Sequence, residues 1–145
     1  MRNDLNMNTG RIAAQASHAA NAFIHQARKY PEQMQLIKGI NDWEKSTSQG
    51  FGTVLVLSAN YNELTDVISK VRSAGISASV IDDPTFGYVV NPEIARLIST
   101  NEDTAPRQIL DKGQIRIFRL ETTCGYVFGN KDQLKLYLGH LPLHP

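Results

Sequence analysis

The chain has 145 residues, 41% of them hydrophobic and 20% charged, which suits one domain with a sizeable core. A formal net charge of +1 excludes nucleic-acid binding driven by the field of the whole molecule, so such a partner would need a local basic patch. The single cysteine, Cys124, excludes an internal disulfide and a multi-cysteine metal site and fits a reducing compartment.

In chain order, residues 10–29 read as a helix and 31–48 as a polar, partly helical segment carrying Trp43. The run TVLVLS (53–58) is short, apolar and β-branched, as in a buried strand. In 62–75, Leu64, Val67, Ile68 and Val71 recur at helical spacing, and Gly75 supplies a terminator. ISASVID (76–82) reads as the next strand. Residues 88–113, with Pro92, Pro106 and the polar STNEDT, read as an excursion or insertion in which PEIARLI makes one short helix. QIRIFRLETTCGYVFG (114–129) reads as one or two strands, followed by a helix from NKDQLKLYLGHL. Strands alternating with helices predict an α/β layered sheet. No apolar run approaches the roughly 20 residues that span a bilayer, and the N-terminus lacks a signal-peptide pattern. The expected location is therefore cytoplasmic, without a membrane partner.

The first helix carries the chemistry. At about 100° per residue, Ile12, Ala13, Ala16, Ala19, Ala20, Phe23, Ile24 and Ala27 fall on one side, giving an alanine-rich face for close packing. Arg11, Gln15, His18, Ala22, His25 and Lys29 form a stripe on the other. A solvated helix face is the plainer reading of such a stripe. Against it, Thr9 and Gly10 precede the helix, and open N–H groups at a helix N-terminus beside Arg11 make an anion or oxyanion site.

The segment RNDLNMNTGRIAAQASHAA resembles the N-terminal signature of the archaeal/eukaryotic-type peptidyl-tRNA hydrolases, R-T-D-L-K-M-x-x-G-K-x-A-A-Q-x-x-H-A. Arg2, Asp4, Leu5, Met7, Gly10, Ala13, Ala14, Gln15, His18 and Ala19 match it. The likeness continues more thinly through Trp43, Gly50, TVLVLS, Gly75, VIDDP and LKLYLGHLPL. The resemblance implies a three-layer α/β/α fold with a small mixed central sheet in one domain, 1–145. It implies hydrolysis of the ester of peptidyl-tRNA or aminoacyl-tRNA, with no metal and no cofactor. Arg11 stands where the family has lysine, and it keeps the charge but does not donate a proton as lysine can. Asp83 best matches the family's strand-end aspartate, with Asp82 the alternative, since neighbouring strand side chains face opposite ways. The Gly-Arg-Thr-type segment that follows in the family is DPTFGY here, leaving Thr85 and Tyr88 as the nearby hydroxyls. The family also has a full strand before R-T-D-L, whereas Met1 takes the last strand position, so that strand is either very short or begins before Met1.

On this reading Asp83 orients or activates the attacking water with His18, an imidazole being suited to proton exchange near neutral pH. N–H groups near Asn8–Gly10, with Arg11, relieve charge on the carbonyl oxygen. Arg2, Arg11, Lys29 and Lys38 meet phosphates in salt-sensitive binding, Asn6 and Gln15 position the substrate, and Phe86 or Tyr88 offers a ring to stack on the terminal adenine. The partner is tRNA, with a homodimer left open. The alternative is a non-catalytic relative that binds tRNA or another phosphorylated ligand. Cys124 reads as a buried structural thiol, Trp43 as a packing anchor, and His140 with His144 as no metal site because Pro142 breaks the helix between them.

Overall fold

A computed structural model describes residues 1–30, 34–91, 93–94, 107–110 and 114–145. In chain order its elements are α1 (Thr9–Lys29), α2 (Met34–Glu44), α3 (Tyr61–Ser73), β1 (Ser77–Val90), β2 (Arg107–Ile109), β3 (Ile115–Phe128) and α4 (Lys131–Leu138). The strands are ordered β1-β3-β2 in one sheet. This is the α/β class that the alternation of patterns predicts. By compactness the chain divides into two units: Met1–Ile81 with Thr123–Pro145, and Asp82–Thr122. Most of the expected 88–113 excursion, including all of PEIARLI except Glu93 and Ile94, lies outside the described residues.

The first unit is built on α3. Asn60 caps its N-terminus, accepting from the Glu63 N–H at 3.0 Å while Glu63 returns a carboxylate to the Asn60 N–H at 2.8 Å, so two otherwise orphaned donors are satisfied reciprocally. At the other end Gly75 takes φ +76°. That left-handed turn lets the Ile76 N–H reach Val71 O and the Gly75 N–H reach Arg72 O, both at 3.0 Å, a closure that favours glycine. The predicted apolar stripe is buried: Leu64, Val67, Ile68 and Val71 are at most 6% exposed. They pack against Ala78, Val80 and Val127 of the strands, Leu134, Tyr137 and Leu138 of α4, and Leu141.

A second packing layer is aromatic. Phe23 of α1 stacks on Phe128 at 4.5 Å and tilts against Tyr126 at 5.6 Å, while Trp43 of α2 meets Phe128 edge-on at 6.3 Å. Such offset and edge contacts add to burial. The Trp43 indole N–H donates to Thr53 O at 2.9 Å, and its ring lies over Gly52 so closely that a Cβ there would stand 2.3 Å from it. Trp43 is the packing anchor expected of it.

Residues 53–58 depart from the expected buried strand. They form no regular strand, only bridges at their end: Leu57 antiparallel to Leu143, and Ala59 parallel to Arg2. Val54 and Leu55 are 64% and 67% exposed. The backbone bonds here are split between two segments, Leu57 and Ala59 bonding to Met1–Asn3 and Val56 and Ser58 to His144 and Pro142, and an apolar run becomes a regular strand only where a continuous neighbour accepts its backbone bonds.

Within the second unit, β2 and β3 pair antiparallel in the register Arg107–Ile117, Gln108–Arg116, Ile109–Ile115. Among the described residues of this unit, Phe86 and Ile117 are buried apolar residues, 5% and 3% exposed.

Candidate functional site

The N-terminal loop of the first unit is held by an ion pair. Arg2 grips Asp4 through Nε at 2.8 Å and Nη2 at 3.0 Å, and its guanidinium lies 5.1 Å from the Tyr61 ring centroid. Asp4 also accepts from the Tyr61 N–H at 3.3 Å. The hydrogen bond from Arg2 is the main reason the Asp4 carboxyl is held below the usual carboxylate range. Arg2 is only 8% exposed. Expected to meet phosphate, it ties the loop to the start of α3, its charge already matched by Asp4.

Asn8 then caps α1, its side chain accepting from the Arg11 N–H at 2.9 Å. An α-helix leaves its first N–H groups without intrahelical acceptors, so Thr9 and Gly10 present theirs outward beside the half-buried Arg11 side chain. Asn6 is exposed in the loop just before the cap, and His18 is exposed two turns further along. Lys29 sits in the last turn with its ammonium 5.6 Å from the Tyr30 ring centroid. Arg11 and His18 therefore sit on accessible helix surface, as the stripe predicts.

Gln15 does not share that surface. It is 4% exposed, and its side-chain oxygen accepts from the Thr123 hydroxyl at 2.7 Å. The neighbouring Cys124 thiol donates to the Gln15 backbone carbonyl at 3.3 Å. The stripe was misphased. At 100° per residue Gln15 lies about 40° from both Arg11 and Ala19, at the edge of the arc that continues through Ile12, Phe23 and Ala27, whereas Ala13 and Ala20, expected on the packed face, are exposed. Thr123, 0% exposed, was not singled out by the sequence. LETTCG carries no motif, and only its contact with a buried amide marks it. Cys124 is the buried structural thiol expected, 1% exposed.

The second unit carries the carboxylates. Asp82 is exposed and accepts from the Thr122 hydroxyl at 2.6 Å, whereas Asp83 is half-buried, consistent with successive strand residues taking different environments. Phe86 is buried, with its ring centroid 5.1 Å from that of Tyr88 in an edge-on contact, and the Tyr88 hydroxyl is bonded to Glu121. At 5% exposure Phe86 is poorly placed for open stacking on a base. The side chain of Thr85 lies outside the described residues. No group of three or more histidine, cysteine or carboxylate side chains capable of holding a metal occurs among the described residues, and no helix of the described chain is long and apolar enough to cross a membrane.

Comparison with known proteins agrees with the N-terminal signature. The peptidyl-tRNA hydrolase of Methanocaldococcus jannaschii is 34% identical over 84 residues, 57% of this chain and 65% of that protein. A Bos taurus protein named peptidyl-tRNA hydrolase 2, mitochondrial, is 34% identical over 84 residues, 57% of this chain and 42% of its own length. The peptidyl-tRNA hydrolase of Sulfolobus acidocaldarius is 28% identical over 83 residues, covering 57% and 67%. The chain thus spans less than two thirds of the first two relatives. The family model described as peptidyl-tRNA hydrolase PTH2 matches residues 1–144. With a match of that extent, the chain belongs to the peptidyl-tRNA hydrolase PTH2 family.

Proposed function

We propose that this chain is an enzyme that hydrolyses the ester joining a peptide, or a single amino acid, to the 3′ ribose of tRNA. The family match over residues 1–144 carries the proposal. The N-terminal turn of α1 supports it chemically, because outward N–H groups of Thr9 and Gly10 beside Arg11 suit an oxygen that gains negative charge.

In this reaction a water oxygen bonds to the ester carbonyl carbon, the acyl C–O bond breaks, and the ribose oxygen leaves with a proton. We assign Asp83, on the family pattern, to orient the water, and His18 to take and return the proton. Arg11 and the Gly10 N–H offset the carbonyl charge. Lys29 and Asn6 hold the tRNA end, with Thr85, two residues after Asp83, as a further contact. Gln15 acts from beneath the helix, through Thr123, by fixing where Arg11 and His18 stand. Cytoplasmic residence belongs to the same proposal.

The test is release of labelled peptide or amino acid from charged tRNA. Multiple turnovers by wild type are expected. His18→Ala, Asp83→Ala and Arg11→Ala should each lower kcat/KM by roughly 10²-fold or more, the scale of a lost acid–base or charge-stabilising group. Wild-type rates in all three variants would remove the proposed site. A salt-sensitive gel shift without product release would instead identify the chain as a non-catalytic tRNA binder.

A further inference from the structure

A cleft of about 260 Å³ opens in the first unit between the N-terminal loop, the first turn of α1 and the C-terminal residues. Arg2, Asn3, Leu5, Met7, Ile12 and His144 line it. Nothing in the proposed reaction uses it. Its size falls just short of the roughly 300–1,000 Å³ that buries a whole drug-sized ligand, so the occupant is one flat or compact group.

The lining narrows that group further. Leu5, Met7 and Ile12 are half-buried and form an apolar wall in which the methionine thioether favours contact with a ring. Arg2 is the lining cation, and Asp4 already matches its charge through two bonds. A phosphate would have to compete with that carboxylate, so the lining suits a neutral occupant. Asn3 is exposed; its N–H goes to Ala59 O at 3.0 Å, and no described residue bonds its side-chain amide. His144 meets Pro145 O through Nδ1 at 3.1 Å, which leaves Nε2 for another partner. An aliphatic side chain would leave the amide and the imidazole unmatched, at a cost. A base edge satisfies them, and an asparagine amide pairs bidentately with the N6 and N7 edge of adenine.

We propose that this cleft binds the terminal adenine of the tRNA acceptor end. The proposal rests on the functional reading above and gives the base a place that the buried Phe86 ring does not. Met7 and Ile12 bracket the N-cap turn, so one short segment holds both the base and the site of charge relief.

The experiment uses protein labelled with [methyl-¹³C]methionine, in which Met7→Leu identifies one of three methionine signals, titrated with AMP and separately with CMP. The Met7 signal should move with AMP and not with CMP, and Asn3→Ala should weaken AMP binding roughly tenfold. Charged tRNA whose terminal A is replaced by C should show a KM raised roughly tenfold with kcat nearly unchanged, the sign of lost uniform binding. A Met7 signal unmoved by millimolar AMP, or moved equally by CMP, overturns the adenine cleft even if the ester is cleaved. A Met7 response to AMP alone, in a protein that cleaves no charged tRNA, upholds the cleft and overturns the hydrolase.

Discussion

Thr123 is fully buried, and its hydroxyl donates to the Gln15 side-chain oxygen at 2.7 Å. Replacing it with valine keeps the shape and leaves the Gln15 oxygen buried without that donor. Thr123→Val should therefore cost about 1–3 kcal/mol in chemical denaturation, while Thr123→Ser stays near wild type. Equal stability of the two variants would mean that the bond contributes nothing. None of this could be read from the sequence, and the reason is physical. A glutamine among alanines satisfies a polar stripe as well as a buried one, and periodicity carries no information on which polar residue finds a buried partner. The residues that could be read were those with a local cause: Gly75 at a helix end and Arg11 beside a helix N-terminus.

Among the elements, helices were legible and strands less so. The stripe in α3 identified four buried residues because a helix sets its own period through local bonds. Strand β3 shows a burial pattern that does not alternate, so its inward residues follow from neighbours distant in sequence. The run 53–58 failed as a strand for the same reason. The adjoining Gly52 offers a sharp test of the α2 packing. Gly52→Ala places a Cβ where the Trp43 ring stands, and overpacking of this kind costs about 1–3 kcal/mol. The chain has one tryptophan, so its emission should shift in the same variant. Unchanged emission and unchanged denaturation midpoint would place the indole elsewhere. At the end of α3, Gly75→Ala should cost about 1 kcal/mol by forcing a Cβ into positive φ, measured the same way.

For the whole molecule, the titrating groups set a window of pH. Asp4 is lowered from 3.8, first by its bond from Arg2. Its contribution is present above the unfolded pKa and is lost as pH falls through the lower folded value. With its side chain 38% exposed, solvent screening keeps that contribution modest. Tyr126 is raised from 10.0 by burial, so its contribution is fully present below pH 10.0 and is lost as pH rises through the higher folded value. Denaturant midpoints across pH should fall at both ends. Asp4→Asn should flatten the acid limb alone, and Tyr126→Phe the alkaline limb alone; unchanged limbs in these variants would assign the losses to other groups.

The two bonds that β3 makes to Gln15 have a mechanical consequence. One ends on the side chain and the other on the main chain of the same residue. A single bond would let α1 roll about its axis or slide along it; two bonds to separate atoms oppose both motions. Under the proposed hydrolysis, Arg11 and His18 of that helix would meet the ester at bearings already set. The cost of ordering them would then be met during folding, and the energy of gripping the proposed tRNA substrate would remain available for the reaction itself.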